Sequence, residues 1–151
     1  MKDPAKYLFD SANSGVYAAP ANKAVVRRSA AADGLAWFEL DLADVADKAA
    51  FLACCATAFS FPSSFGSNWD ALADSLEDLS WLPAQGYIVF GRRGSAFARH
   101  APQDFATALE IIDAAATYWR TQHKVFMLLL DVDTRGSRNL KPFPPLLKSG
   151  T

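Results

Sequence analysis

Two short unbroken apolar runs, residues 87–90 (YIVF) and 125–130 (VFMLLL), constrain this chain more than any other feature. A strand with apolar side chains on both faces must be covered on both faces, as strands of parallel sheets are. Between the runs lies a helical pattern that opens at Pro102, a residue favoured at the first helical position. Phe105, Leu109, Ile112, Ala116 and Trp119 share one face of it, and it ends near Gln122. Two strands joined by such a helix make a parallel pair with a right-handed crossover. The second strand is predicted over 125–132.

The same logic extends upstream. Residues 35–40 (LAWFEL) read as a strand. Asp44 is placed to cap a helix running towards Phe59, with Phe51, Leu52, Cys55 and Phe59 at helical spacing and Pro62 ending it. A second helix follows in the stretch 61–81. The order strand, two helices, strand, helix, strand predicts an α/β fold, a three-stranded parallel sheet packed with helices. Before it, a helix is predicted over 21–33, with Val25 and Val26 inward and Gly34 as its stop. Residues 1–20 lack periodicity, and their aromatics Tyr7, Phe9 and Tyr17 suggest a segment lying against the surface. Residues 91–100 (GRRGSAFARH) read as a basic loop. The expected division is an N-terminal extension over 1–34, a domain over 35–132 and a basic, Pro-containing tail over 133–151 with no core pattern.

Composition narrows the class. At 151 residues and 51% hydrophobic, the chain can bury the core of one domain. A net charge of −1 gives no global case for nucleic acid or membrane. Arg135, Arg138, Lys141 and Lys148 make the tail basic, while the middle is acidic. Cys54 and Cys55 are adjacent, which disfavours a disulfide between them, and further ligands for a metal are not near. They read as small buried residues of a reducing compartment. No apolar run is long enough to span a bilayer, and none follows the N-terminal charges as a signal peptide would. A cytoplasmic protein without metal or cofactor is expected.

The stretch 61–81, FPSSFGSNWDALADSLEDLSW, carries the functional signal. Ser67-x-x-Asp70 has the form of a capping box, and Gly66 before it can take a positive φ. Leu72, Leu76 and Leu79 recur on one helical face; Asp70, Asp74, Glu77 and Asp78 fall on another. No lysine or arginine occurs between Lys48 and Arg92. Asp70 and Asp74, one turn apart, repel by roughly 0.2–0.5 kcal/mol. A solvated helix face usually mixes both signs; one sign alone favours a cationic partner. Enzymatic readings fare worse. Asp70 and Asp74 lack a neighbour that would keep one protonated, as a glycosidase pair needs. Ser63, Ser64 and Ser67 have no histidine near them in sequence. Residues 91–94 (GRRG) follow a strand but lack the spacing of a phosphate loop. An acidic helix that imitates phosphate and docks in a basic site is the more economical reading.

The pattern Phe61-Pro62-x-x-Phe65-Gly66-x-Asn68-Trp69-Asp70-Ala71-Leu72-x-Asp74 resembles the central motif of the barstar family, the intracellular inhibitors of barnase-type ribonucleases. The WLP turn, the YIVF strand, the alanine-rich helix and the VFMLLL strand follow that family's order, so the resemblance spans about residues 35–132. It implies a barstar-like three-stranded parallel sheet and a non-enzymatic inhibitor. By resemblance, Asp74 matches the main inhibitory carboxylate and Asp70 a second acid on the same face. Ser64, Phe65, Gly66, Asn68, Trp69 and Ala73 match positions of the binding surface; Glu77 and Asp78 extend its charge. The chain departs from the family where Ser64 replaces an aromatic, where Ala73 replaces a tryptophan, and near Ala114, where an acid is missing. The implied partner is a basic ribonuclease or ribonuclease-like toxin, bound without direct contact to nucleic acid or membrane by a chain that is monomeric when free. The alternative is a regulatory module for a basic partner that is not a nuclease.

Overall fold

A computed structural model of the chain describes residues 8–133 and 140–143. In order, a short 3-10 turn at Ser11–Asn13 leads into β1 (Gly15–Ala18), α1 (Lys23–Ala32), β2 (Ala36–Asp41), α2 (Lys48–Ala58), α3 (Trp69–Leu76), β3 (Gly86–Arg92), α4 (Ser95–His100), α5 (Pro102–Thr121), β4 (Val125–Leu130) and β5 (Lys141–Pro142). The fold is α/β, and the sheet is parallel throughout, with strand order β2-β3-β4-β1-β5.

The three strands expected form its uninterrupted half. β3 pairs with β2 from Tyr87 against Ala36, and with β4 from Gly86 against Val125. The count of three is corrected to five, because β1 and β5 add two strands from outside the segment 35–132. β1 is four residues long and β5 two. Neither is long enough to display a period of two in the sequence.

Alternation along the strands separates two cores. Tyr87, Val89, Phe126, Leu128 and Leu130 face a front layer of α2, α3, α4 and α5, where Phe51, Leu52, Leu72, Leu76 and Phe97 are buried. Ile88, Phe90, Val125, Met127 and Leu129 face the reverse side, under Phe9, Tyr17, Ala30 and Phe143. Right-handed crossovers account for this: β1 to β2 runs across the sheet in one direction, β2 to β3 to β4 in the other, so their helices lie on opposite faces.

Several local expectations are also corrected. Asp47, not Asp44, caps α2, its carboxylate accepting the Ala50 N–H at 2.8 Å. In α1, Ala30 is the residue pressed on the sheet, and Val25 faces out at 44% exposure. The helix still ends at Gly34, whose φ of +74° favours glycine. The basic stretch 91–100 is no open loop: Arg92 closes β3 and α4 follows, anchored by buried Phe97. Cys55 is buried and burial pushes its thiol well above the ordinary range; Cys54 is half-buried and raised by the same cause. Tyr7, Arg135, Arg138 and Lys148 lie outside the described residues. Among the described residues no helix is long and apolar enough to cross a membrane, and no group of three acids, histidines or cysteines could hold a metal.

Candidate functional site

The site is a turn and a helix, and the turn is fixed first. Phe65 N–H donates to the Pro62 carbonyl at 2.9 Å, closing the chain on itself. The Phe61 ring packs against Phe65 (4.7 Å between centroids), Phe59 (5.7 Å) and the edge of Trp81 (6.0 Å). Trp81 donates its indole N–H to the Phe59 carbonyl at 2.9 Å, so the far side of the helix is tied to the start of the turn. Phe65 is half-buried in this aromatic group, which leaves Ser64 and Gly66 exposed beside it.

The helix start differs from expectation. Ser67, not Gly66, takes the left-handed conformation, with φ +52°. Asn68 then becomes the N-cap: its Oδ1 accepts the Ala71 N–H at 2.7 Å and its Nδ2 donates to the Gly66 carbonyl at 3.3 Å. Asparagine is among the strongest N-caps, and its amide also serves the turn, which a serine hydroxyl at 67 could not reach from a left-handed backbone. The capping box between Ser67 and Asp70 is therefore not formed. Gly66 is needed for space instead. A Cβ there would lie 3.2 Å from Asn68 Nδ2 and 3.6 Å from the Ala71 Cβ.

From this start α3 turns Leu72, Leu76 and, just beyond it, Leu79 into the core, each at most 1% exposed. The Leu76 carbonyl, unpaired within so short a helix, accepts the Trp119 indole N–H at 2.8 Å. Trp69 is half-buried, 6.2 Å from Phe51, with Lys48 Nζ over its ring at 5.4 Å. It is at once a core residue and a rim residue.

The opposite edge of α3 is acidic and unpartnered. Asp70, Asp74 and Asp78 are exposed and Glu77 half-buried. None of the four forms an ion pair among the described residues, and four basic side chains pair with other acids. Lys23 and Arg27 hold Glu39 at 2.7 and 3.3 Å, Arg93 holds Asp41 at 3.0 Å, and Arg99 holds Asp133 at 3.5 Å. Asp70 sits in the first turn, where the helix dipole favours it. Asp74 and Asp78 line an open groove of about 280 Å³ together with Ser64, Phe65, Gly66 and Trp81.

The groove brings together five of the residues singled out in the sequence: Ser64, Phe65, Gly66, Asp74 and Asp78. Asn68, Trp69, Asp70, Ala73 and Glu77 lie outside it, on the same turn and helix. Pro62, Ala71, Ser75 and Trp81 also line it and were not expected there. Trp81 could have been found, since a tryptophan two residues past a buried leucine at the helix end has little room except against the preceding turn.

A second open cleft, about 470 Å³ at the C-terminal ends of β3 and β4, contains Arg93 and Arg99 beside Asp131 and Asp133. The Arg93 N–H donates to Asp131 at 3.3 Å, and its guanidinium is bound to Asp41. The two arginines of the cleft, Arg93 and Arg99, are each paired with an acid of the chain, which argues against a phosphate loop at residues 91–94.

No curated protein matches the chain. A family model described as Barstar (barnase inhibitor) matches residues 35–131, from just before β2 to just after β4. That stretch is nearly two-thirds of the chain and holds the whole turn, α3 and the acidic groove. The chain belongs to the barstar family.

Proposed function

We propose that this chain is a non-enzymatic inhibitor, of the immunity or antitoxin kind, for a barnase-like ribonuclease. The acidic edge of α3 covers the partner's basic catalytic cleft, with Asp74 as the central carboxylate and Asp70 and Asp78 beside it. Ser64, Phe65, Gly66, Asn68, Trp69, Ala73 and Glu77 complete the contact. The observation that supports this most is that Asp70, Asp74 and Asp78 are exposed without an ion pair among the described residues while Glu39 and Asp41 are paired. Exposed carboxylates of one sign repel one another, and a cationic cleft offsets that cost. Desolvated charge pairs of this kind act as hot spots and speed encounter; barnase and barstar themselves supplied the measurements behind that rule, so the mechanism is carried over from the family. The inhibitor acts as a monomer in the cytoplasm, without cofactor.

A titration against the cognate basic ribonuclease tests the reading. Asp74→Ala weakens binding by at least ~2 kcal/mol, about thirtyfold. An unchanged dissociation constant removes the mechanism. The on-rate falls as salt rises.

Ser64 and Ala73 favour a second reading. Both are small where the family carries aromatics, and Ser64 is exposed on the groove wall. A basic partner that is not a nuclease, and that brings its own bulk to this wall, fits those positions. Capture of such a protein by wild type but not by Asp70→Ala/Asp74→Ala, with no ribonuclease bound, would favour it.

A further inference from the structure

We infer that residues 8–34 and 140–143 form a strap that closes the reverse face of the sheet and loosens without disturbing α3. Among the described residues nine are buried in the reverse core, and the family-matched stretch supplies five of them, Ile88, Phe90, Val125, Met127 and Leu129. The roof over them, Phe9, Tyr17, Ala30 and Phe143, comes entirely from outside that stretch. Without the roof, a contiguous apolar sheet face would meet water, so the folding unit of this chain is wider than the family segment.

The strap is fastened at three places. At the β4 end, the buried Ser14 hydroxyl accepts the Phe126 N–H at 3.1 Å and donates to the Ser11 carbonyl at 2.7 Å. Arg120 of α5 donates to the Ser14 carbonyl at 2.8 Å. At the β2 edge, Glu39 takes Lys23 and Arg27 of α1, together with the Trp37 indole N–H at 3.0 Å. At the β1 edge, Phe143 packs edge-on to Tyr17 at 5.7 Å and within 6.5 Å of Phe9, so the tail segment holds the N-terminal one. α3 and its turn pack in the front core, on the other side of the sheet. Of the strap, only Val16 and Leu140 reach the front core, both partly buried at its β1 and β5 end. The strands that part α3 from the reverse core, β2, β3 and β4, all lie in the family-matched stretch, so the strap can open while α3 stays packed.

Hydrogen exchange on the full-length chain tests this. In Phe143→Ala and Ser14→Ala, amides over 8–20 exchange about tenfold faster or more, and amides over 61–79 stay within about twofold of wild type. Glu39→Gln, the mildest change, accelerates 22–34 instead. Should Phe143→Ala fail to fold, the other two variants carry the test. Unchanged exchange over 8–20 in whichever of Ser14→Ala and Phe143→Ala folds, or equal acceleration over 61–79, overturns the inference.

Discussion

Glu39 and Asp41, on the edge strand β2, and Asp74 and Asp78, on α3, are acids with opposite fates. Glu39 takes two cations and an indole N–H; burial alone would raise its pKa, but the hydrogen bonds from Lys23 and Trp37 and both cations bring it below the usual carboxylate range. Asp41 is also lowered, first by the Ala43 N–H and then by Arg93. Asp74 and Asp78 share one open groove with no cation from among the described residues. Lys23 and Arg27 of α1 and Arg93 beyond β3 are thus directed at the acids of β2. An acid that closes a sheet edge gains from an internal partner, whereas one meant for an external cation would lose its use if paired at home.

The contrast can be broken at four points. Asp74→Ala has the largest effect: ~2 kcal/mol or more of binding lost to a cognate ribonuclease, with urea stability unchanged or slightly raised. A comparable loss of stability would mean that the acid serves the fold. Asn68→Ala removes the cap of α3 and costs about 1 kcal/mol of unfolding free energy by denaturant titration. Glu39→Gln costs roughly 0.2–1 kcal/mol of stability, as half-exposed pairs do, and leaves binding alone. Its folded pKa is depressed, so its contribution is present above the unfolded value and is lost as pH falls through the folded one. Wild type then destabilises more steeply than Glu39→Gln on acidification, measured as the urea midpoint against pH. The smallest effect is Asp70→Asn: relief of the repulsion with Asp74, roughly 0.2–0.5 kcal/mol, is offset by loss of the favourable dipole interaction of the first turn, which is of similar size, so the urea midpoint stays close to that of wild type.

Much of this was legible in the chain, and the failures have physical causes. The front half of the sheet could be read because β3 and β4 are covered on both faces, which leaves long apolar runs. The phase of α3 could be read because three leucines recur at helical spacing. β1 and β5 could not, since strands of four and two residues owe their pairing to neighbours rather than to any pattern of their own. α4 hid because buried Phe97 is the one large apolar residue among its six. In the candidate site, the turn lies where the sequence puts it, but its geometry is off by one. Ser67 and Asn68 are both good caps, and only the aromatic packing of Phe61, Phe65 and Trp81 decides which of them the backbone presents.

The four tryptophans fall on different sides of these divisions. Trp69 lies beneath Lys48 at the base of α3, and Trp81 lines the groove. Trp119 is buried behind the helix, and Trp37 stacks on Phe90 at 6.0 Å on the reverse side. The molecule thus carries its own fluorophores in separate optical environments. A ligand seated on the acidic edge would change the emission of Trp69 and Trp81 and spare that of Trp37, so intrinsic light from single-tryptophan versions would report where a partner lands.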